Sequence, residues 1–432
     1  MNYLGEKGRG SDHMNAKKLL LLFMAAALSV VVGCSPQSQS VTTETKPIDW
    51  KSMYPAQYYS SLGSADHLDD VETVPKTGGY GHGSQSKYMP ISIEQKNGEI
   101  NATCISCKSS KFNELYEKYG NEVFNATPSA KYAEIMTAED WWSCGTCHSD
   151  MTDPAGSVGA QIVTAELFGK ELFDKLDPKT AACSQCHNNL SPWSDSRIVN
   201  GSDILNSGKS PYRYGWDPDA LIKATLEDAV PDASRYPNGK TMELSAAAHA
   251  KVDESTGTYL IANGNHADAE MFQGSLHEQL GVSCTDCHMP TLEDRSGEPY
   301  TSHDASKSVL NSEASMNYCL SCHSSQGLET VKDMYNYVRN AQAELAEKDA
   351  AVADKLDETY GYIEAAVKGG TVSNEVLDKA RFNYAVAAYY KEYVYGNRGA
   401  TPGEKVAHNP KMSHKYLERA IALLDETIEM LR

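Results

Sequence analysis

Five Cys-x-x-Cys pairs, each followed at once by a residue able to bind iron, are the part of this chain that can do chemistry. They read Cys104-Ile-Ser-Cys107-Lys108, Cys144-Gly-Thr-Cys147-His148, Cys183-Ser-Gln-Cys186-His187, Cys284-Thr-Asp-Cys287-His288 and Cys319-Leu-Ser-Cys322-His323. Cys-x-x-Cys-His is the attachment signature of c-type haem: two thiols add to the haem vinyl groups and the adjacent His binds the iron. Structural zinc uses paired Cys-x-x-Cys as well. Five pairs leave one without a partner, however, and zinc does not ask for His directly after the second Cys. Disulfides are the third reading, and they leave the four histidines unexplained. The pattern therefore predicts five covalently bound haem c groups.

The first motif differs from the rest. Lys108 stands where the others have His, and a Lys amine must be neutral to bind iron, a deprotonation that the metal drives. Four His-motif haems with two His ligands each are six-coordinate and suit electron transfer. A haem held by Lys108 needs no second protein ligand, and its free face can take a substrate. That asymmetry predicts an enzyme rather than an electron wire. The chain has 13 histidines. Apart from the four motif residues and His13, eight remain to supply distal ligands: His67, His82, His249, His266, His277, His303, His408 and His414.

The elements that position these residues fall into four stretches. Residues 1–33 read as an export signal, with Lys17 and Lys18 before an apolar run from Leu19 to Val32. Met14 reads as the start, since it puts the lysines next to the initiator. Gly33-Cys34 reads as a lipoprotein cleavage site with lipid on Cys34, and the run is short for a membrane span. Residues 34–49 then form a lipidated Cys and a flexible tether rich in Ser, Thr and Gln. Residues 50–330 hold all five motifs, and short helices joined by Gly- and Pro-bearing loops are expected there. The long segment Asn188 to Ser283, between motifs three and four, is expected to form much of the pocket wall.

Residues 331–432 change character. Val331, Met334, Val338, Ala341, Leu345, Val352, Leu356, Tyr360, Ile363 and Val367 keep helical spacing, and Gly369-Gly370 ends that helix. Ser373 is an N-cap for the next, which runs to about Gly396. A last helix carries Leu417, Ile421, Leu424, Ile428 and Leu431, a coiled-coil-like stripe that fits either a dimer or packing against the haem core. The fold class is mainly α: a multihaem cytochrome c with a haem-packed core and long C-terminal helices. The chain has 58 Asp+Glu against 39 Lys+Arg, a formal charge of −19, and haem propionates add to it. This excludes nucleic acid as a partner.

The order of motifs, Lys first and His four times after, resembles the pentahaem cytochrome c nitrite reductases that form ammonia. Cys284-Thr-Asp-Cys287-His288-Met289-Pro290 is similar to the fourth motif of that family. Tyr300-Thr301-Ser302-His303 is similar to its Tyr-Thr-x-His segment, Gly81-His82-Gly83 to its Gly-His, and His408-Asn409-Pro410 to its His-x-Pro before the last helix. His277 lies where a further distal ligand is expected. The resemblance, which covers roughly residues 50 to 432, implies His82, His277, His303 and His408 as distal ligands. It further implies Lys108 and His266 as catalytic residues, nitrite as the small anionic substrate, a homodimer through the long helices, and a membrane quinol-oxidising cytochrome as electron donor. The protein would be exported and held to the membrane by its lipid.

The pocket departs from that family. Its Lys-x-Gln-His reads Asn263-Gly264-Asn265-His266 here, and its Glu-Tyr after the third motif reads Asn189-Leu190. No Arg lies between His82 and Cys104, where the family has one. A substrate-orienting Tyr and a calcium-holding Glu are thus absent, which speaks against calcium. The departures also leave open hydroxylamine, sulfite or another small oxidised substrate, or a plain electron-transfer role. Arg213, in Pro211-Tyr212-Arg213-Tyr214, offers a cation or phenol from a new position, or is a surface loop residue. His266, among Asn263, Asn265, Asp268 and Glu270, reads either as a pocket proton donor or as a surface His in a polar loop.

Overall fold

In the computed structural model, residues 49–61, 99–100, 109, 111–120, 123, 127–128, 135, 143–162, 169, 173–188, 210, 212–228, 253, 255–259, 261, 267–305, 308–395 and 403–432 are described. Up to Gly327 the helices are short. They are α1 (Trp50–Met53), α2 (Pro55–Ser61), α3 (Phe112–Tyr119), α4 (Pro178–Ser184), α5 (Pro218–Asp228), α6 (Asp268–Phe272), α7 (Leu276–Gln279), α8 (Cys284–His288) and α9 (Glu313–His323). Two small antiparallel pairs accompany them, β1 (Glu99–Ile100) with β2 (Thr127–Pro128) and β3 (Thr291–Glu293) with β4 (Pro299–Thr301). Three long helices follow: α10 (Val331–Gly369), α11 (Asn374–Tyr395) and α12 (Pro410–Leu431).

The long helices start and stop where side-chain chemistry says they should. Thr330 and Asp333 form a capping box at the start of α10, so two backbone N–H groups gain partners. Gly370 ends it in the left-handed region at φ 59°, donating to Ala366 O. Ser373 Oγ accepts from Val376 N–H at the head of α11, and Asn409 Oδ1 accepts from Met412 N–H at the head of α12, where Pro410 takes the first helical position. Among the described residues, no helix is long and apolar enough to cross a membrane.

The apolar stripe of α12 is used within the chain. Leu417, Leu424, Ile428 and Leu431 are buried against the faces of α10 and α11 that carry Leu345, Val352, Ile363, Ala380 and Val386. Cross-helix ion pairs Lys348–Glu418, Lys355–Asp425 and Lys379–Glu426 decorate the rim; exposed pairs of this kind add little.

Tyrosines join this bundle to the haem-bearing region. Tyr390 and Tyr416 donate to Asp219 at the start of α5, Tyr416 also donates to Asp217, and Arg419 pairs with Asp219. Tyr393 donates to Trp216 O. A second tie runs from the 253–259 loop, where Asp253 accepts from Tyr360 and Thr256 O accepts from Arg381. These tyrosines therefore serve as packing with a polar tip, the hydroxyls of Tyr360, Tyr390, Tyr393 and Tyr416 each finding an acceptor.

Candidate multihaem centre

All four described motifs use the same local trick. Each chain segment curls as a helical turn, so Cys at i, Cys at i+3 and His at i+4 project to one side. His148 N–H donates to Cys144 O at 3.0 Å and His187 N–H to Cys183 O at 2.9 Å. Motif four is α8 itself, started by a capping box between Ser283 and Asp286. Motif five is the end of α9, capped at its head by Ser312. Motif three closes α4, whose N-cap Asp177 accepts from Lys179 and Thr180.

Histidines distant in sequence face the motif histidines. His303 lies opposite His148 with ring centres 6.2 Å apart. His408 faces His288 at 6.3 Å, and His277 faces His323 at 6.1 Å. Two imidazoles that hold one metal from opposite sides, each through a nitrogen about 2 Å from it, bring their ring centres roughly 6 Å apart. Three spacings of this size fit an iron between each pair. Among the described residues no group of three or more His, Cys, Asp or Glu is placed to hold a metal ion by itself.

Hydrogen bonds turn these rings the right way. His148 Nδ1–H donates to Pro154 O at 2.7 Å, His303 Nδ1–H to Thr301 O at 2.9 Å, and His277 Nδ1–H to Ala407 O at 3.2 Å. A carbonyl only accepts, so Nδ1 carries the proton and Nε2 keeps a free lone pair, the atom that could bind a metal. Burial lowers the basicity of His288 and His303 and takes His408 down to about 4. In these three rings burial therefore favours the neutral form, the one that binds metal. Burial also pushes the Cys147 thiol up to about 11 and Cys287 up to about 12. All eight described cysteines are free of disulfides.

Consecutive motifs touch. α4, which ends in motif three, packs against α8, and α8 packs against α9, which ends in motif five. Motif four therefore sits between motifs three and five. The elements around them are pinned by backbone: Ser60 Oγ, buried in α2, accepts from His303 N–H. At Gly403 a Cβ would overlap Gln342 O, so only glycine lets the turn that leads to Lys405 and His408 approach α10 this closely.

Two groups that looked like loop polarity are interior. Glu270 is fully buried and accepts from Tyr212 at 2.7 Å. Asp268 Oδ2 accepts from His187 Nδ1 at 3.2 Å, while Asp268 Oδ1 holds Lys405 Nζ at 2.5 Å. Burial alone would raise the Asp268 carboxyl; Lys405, His187 and His408 outweigh it and hold it well below the usual range. The segment after His266 thus turns into the core at buried Ala267 rather than staying on the surface. Sequence reading missed Lys405 altogether; a lysine three residues before a ligand His was the available hint. Arg213 is committed elsewhere, to Ser210 O, Ala224 O and Glu227. The Tyr212 phenol is engaged with Glu270. Lys108, His82, His266, Cys104, Cys107 and Cys34 lie outside the described residues, as does most of the 189–266 segment. Immediately after Lys108, Ser109 is buried and accepts from Phe112 N–H, and Phe112 and Leu115 of α3 enter the main core.

A mainly α fold in which three of the four described motif histidines face a second imidazole defines a multihaem c-type cytochrome. Residues 84–430 match the cytochrome c552 family, and the chain belongs to it. Cytochrome c-552 of Haemophilus ducreyi is 25% identical over 296 residues, covering 66% of this chain and 51% of that protein. Cytochrome c-552 of Aliarcobacter butzleri is 24% identical over 310 residues, 65% of this chain and 57% of that one. The chain thus spans little more than half the length of these relatives. Cytochrome c nitrite reductase from Desulfovibrio desulfuricans shares the fold, with a TM-score of 0.62 over 88% of this chain and 85% of that one, at 17% identity.

Proposed function

We propose that this cytochrome reduces nitrite to ammonium at a haem held by Lys108, fed by four haems with two His ligands each. The observation that carries the proposal is the set of three imidazole pairs, His148/His303, His288/His408 and His323/His277, each at an iron-sized spacing. His187, the fourth motif His, would take His82 as its opposite ligand. Five haem c groups, on the ten motif cysteines, would then include one, held by Lys108, that needs no second protein ligand and could take the substrate.

Bound there, the haem supplies the electrons; the chain supplies position and protons. Lys108 would enter as a neutral amine and donate more strongly than imidazole. His266 would hold a proton for the departing oxygens, a role that fits a group titrating near neutrality. The same reading keeps the lipid anchor on Cys34, export, a quinol-oxidising cytochrome as donor, and a homodimer. Tyr335 and Tyr337, exposed on α10, are consistent with an outer contact face there.

One observation favours a second substrate. Asn189 and Leu190 stand where a Glu-Tyr is expected, and no Arg precedes the first motif. The Arg213 guanidinium and the Tyr212 phenol are occupied within their own neighbourhood. Loss of one charge-stabilising donor costs about 2.7–4 kcal/mol in such a site. Hydroxylamine or sulfite would then replace nitrite, and a carrier with no turnover is the limiting case. The test is anaerobic oxidation of the viologen-reduced protein by nitrite, with ammonium quantified. Fast turnover with stoichiometric ammonium is expected; no turnover, with a high-spin haem present, would move the substrate to the second group.

A further inference from the structure

Asp268 touches ligands of two different haem sites. Its Oδ2 accepts from Nδ1–H of His187, the motif-three ligand, at 3.2 Å. Its Oδ1 is 3.8 Å from Nδ1 of His408, which faces the motif-four ligand His288. The carboxylate is fixed on motif three a second time, because Ala269 N–H donates to His187 O at 2.9 Å. Lys405, itself 7% exposed, closes the cluster from the other side at 2.5 Å.

The physics gives this placement a direction. A carboxylate that draws on Nδ1–H of a metal-bound imidazole makes the ring a stronger donor, which favours the more positive metal. In a dry interior the full negative charge acts over several ångströms with little screening. A buried ammonium beside it acts with the opposite sign. We propose that Asp268 is a shared potential-setting residue, holding the motif-three and motif-four haems low together, with Lys405 limiting the effect. It is a positioning residue and takes no part in bond making. The proposal rests on the ligand assignment above.

The consequence is for the middle of the relay. Motifs three and four are in contact through the packing of α4 against α8. One carboxylate at that joint keeps the two centres close in potential, so an electron passes between them without falling into a trap. Each haem takes up one electron, supplied by the reductant, and no proton need move.

Spectroelectrochemical titration of the haem-loaded protein, with low-spin signals followed by electron paramagnetic resonance, tests it. In Asp268→Asn two of the five haems should become easier to reduce by about tenfold or more, 59 mV for one electron, and the other three should stay in place. Asp268→Glu should restore them. Lys405→Gln should move the same two haems the other way, and it carries the test if Asp268→Asn does not assemble. Unchanged potentials in either variant, or all five moving together, would overturn the proposal. Absence of bis-imidazole signals from the unaltered protein would instead remove the ligand assignment, so the two failures are distinguishable.

Discussion

Between Val331 and Leu431 three helices of 39, 22 and 22 residues bury residues at the helical period. Between Ser143 and His323 the helices are four to eleven residues long, and the facing rings are imidazoles 6.1–6.3 Å apart. The first region is held by apolar side chains that meet each other. The second adds apolar residues such as Ile162, Phe173, Leu221 and Met271 to the same core, and it also holds three imidazole pairs apart at a spacing that fits an iron. Chain order alone would make them one continuous helical protein; their packing shows two ways of making an interior. The difference leads us to expect that the motif-bearing region depends on its haems for its order, and the C-terminal helices far less.

The most severe way to break this comparison is to produce the chain without haem attachment. Amide hydrogen exchange should then show protection lost across residues 143–323, while α10 to α12 keep their slowest amides. Equal loss in both regions would mean that the bundle also depends on the haems.

A smaller effect comes from the bundle interior. Leu424 is fully buried, and Leu424→Ala should lower unfolding free energy by about 2–5 kcal/mol. Leu276, 69% exposed beside the ligand His277, should tolerate Ala with a change of about 0.5 kcal/mol or less. Denaturant titrations followed by far-ultraviolet dichroism compare the two directly. Smaller again is Asn409→Ala, which removes the N-cap of α12 next to His408. About 1 kcal/mol of stability should go, with the His408 ligand signal unchanged if the backbone turn is held by Gly403 and Pro410.

The mildest probe is acid, applied to the ties between the regions. Burial would raise the Asp219 carboxyl, but hydrogen bonds from Arg419 and Tyr390 hold it below the usual carboxylate range. Hydrogen bonds from Ser255, then Tyr360, hold Asp253 at about 2. Both pKa values are depressed on folding, so their contribution is complete above the unfolded carboxylate value and fades as pH falls towards the folded one. Stability should therefore drop between about pH 4 and pH 2, and Asp219→Asn should flatten part of that drop.

Much of this was legible in the chain. The period of α10, the glycine pair that ends it and the Ser373 cap are local signals, and local signals survive without a partner. Cys-x-x-Cys-His is equally local. What the stripe on α12 packs against was not legible, since the same period serves a dimer or an intrachain face; here α10 and α11 take it. Asp268 and Glu270 read as loop polarity because nothing in a sequence marks a charge that will be buried by a partner 137 positions on, as Lys405 is for Asp268. Arg213 is the converse: a free-looking cation that three neighbours already occupy.

The central claim is that four haems are closed by paired imidazoles and one, at Lys108, is open. Mössbauer spectroscopy of the iron-57-enriched oxidised protein counts them directly. The account predicts four low-spin irons to one high-spin iron, with the high-spin component altered by nitrite. Five low-spin irons, none of them altered by nitrite, would contradict it.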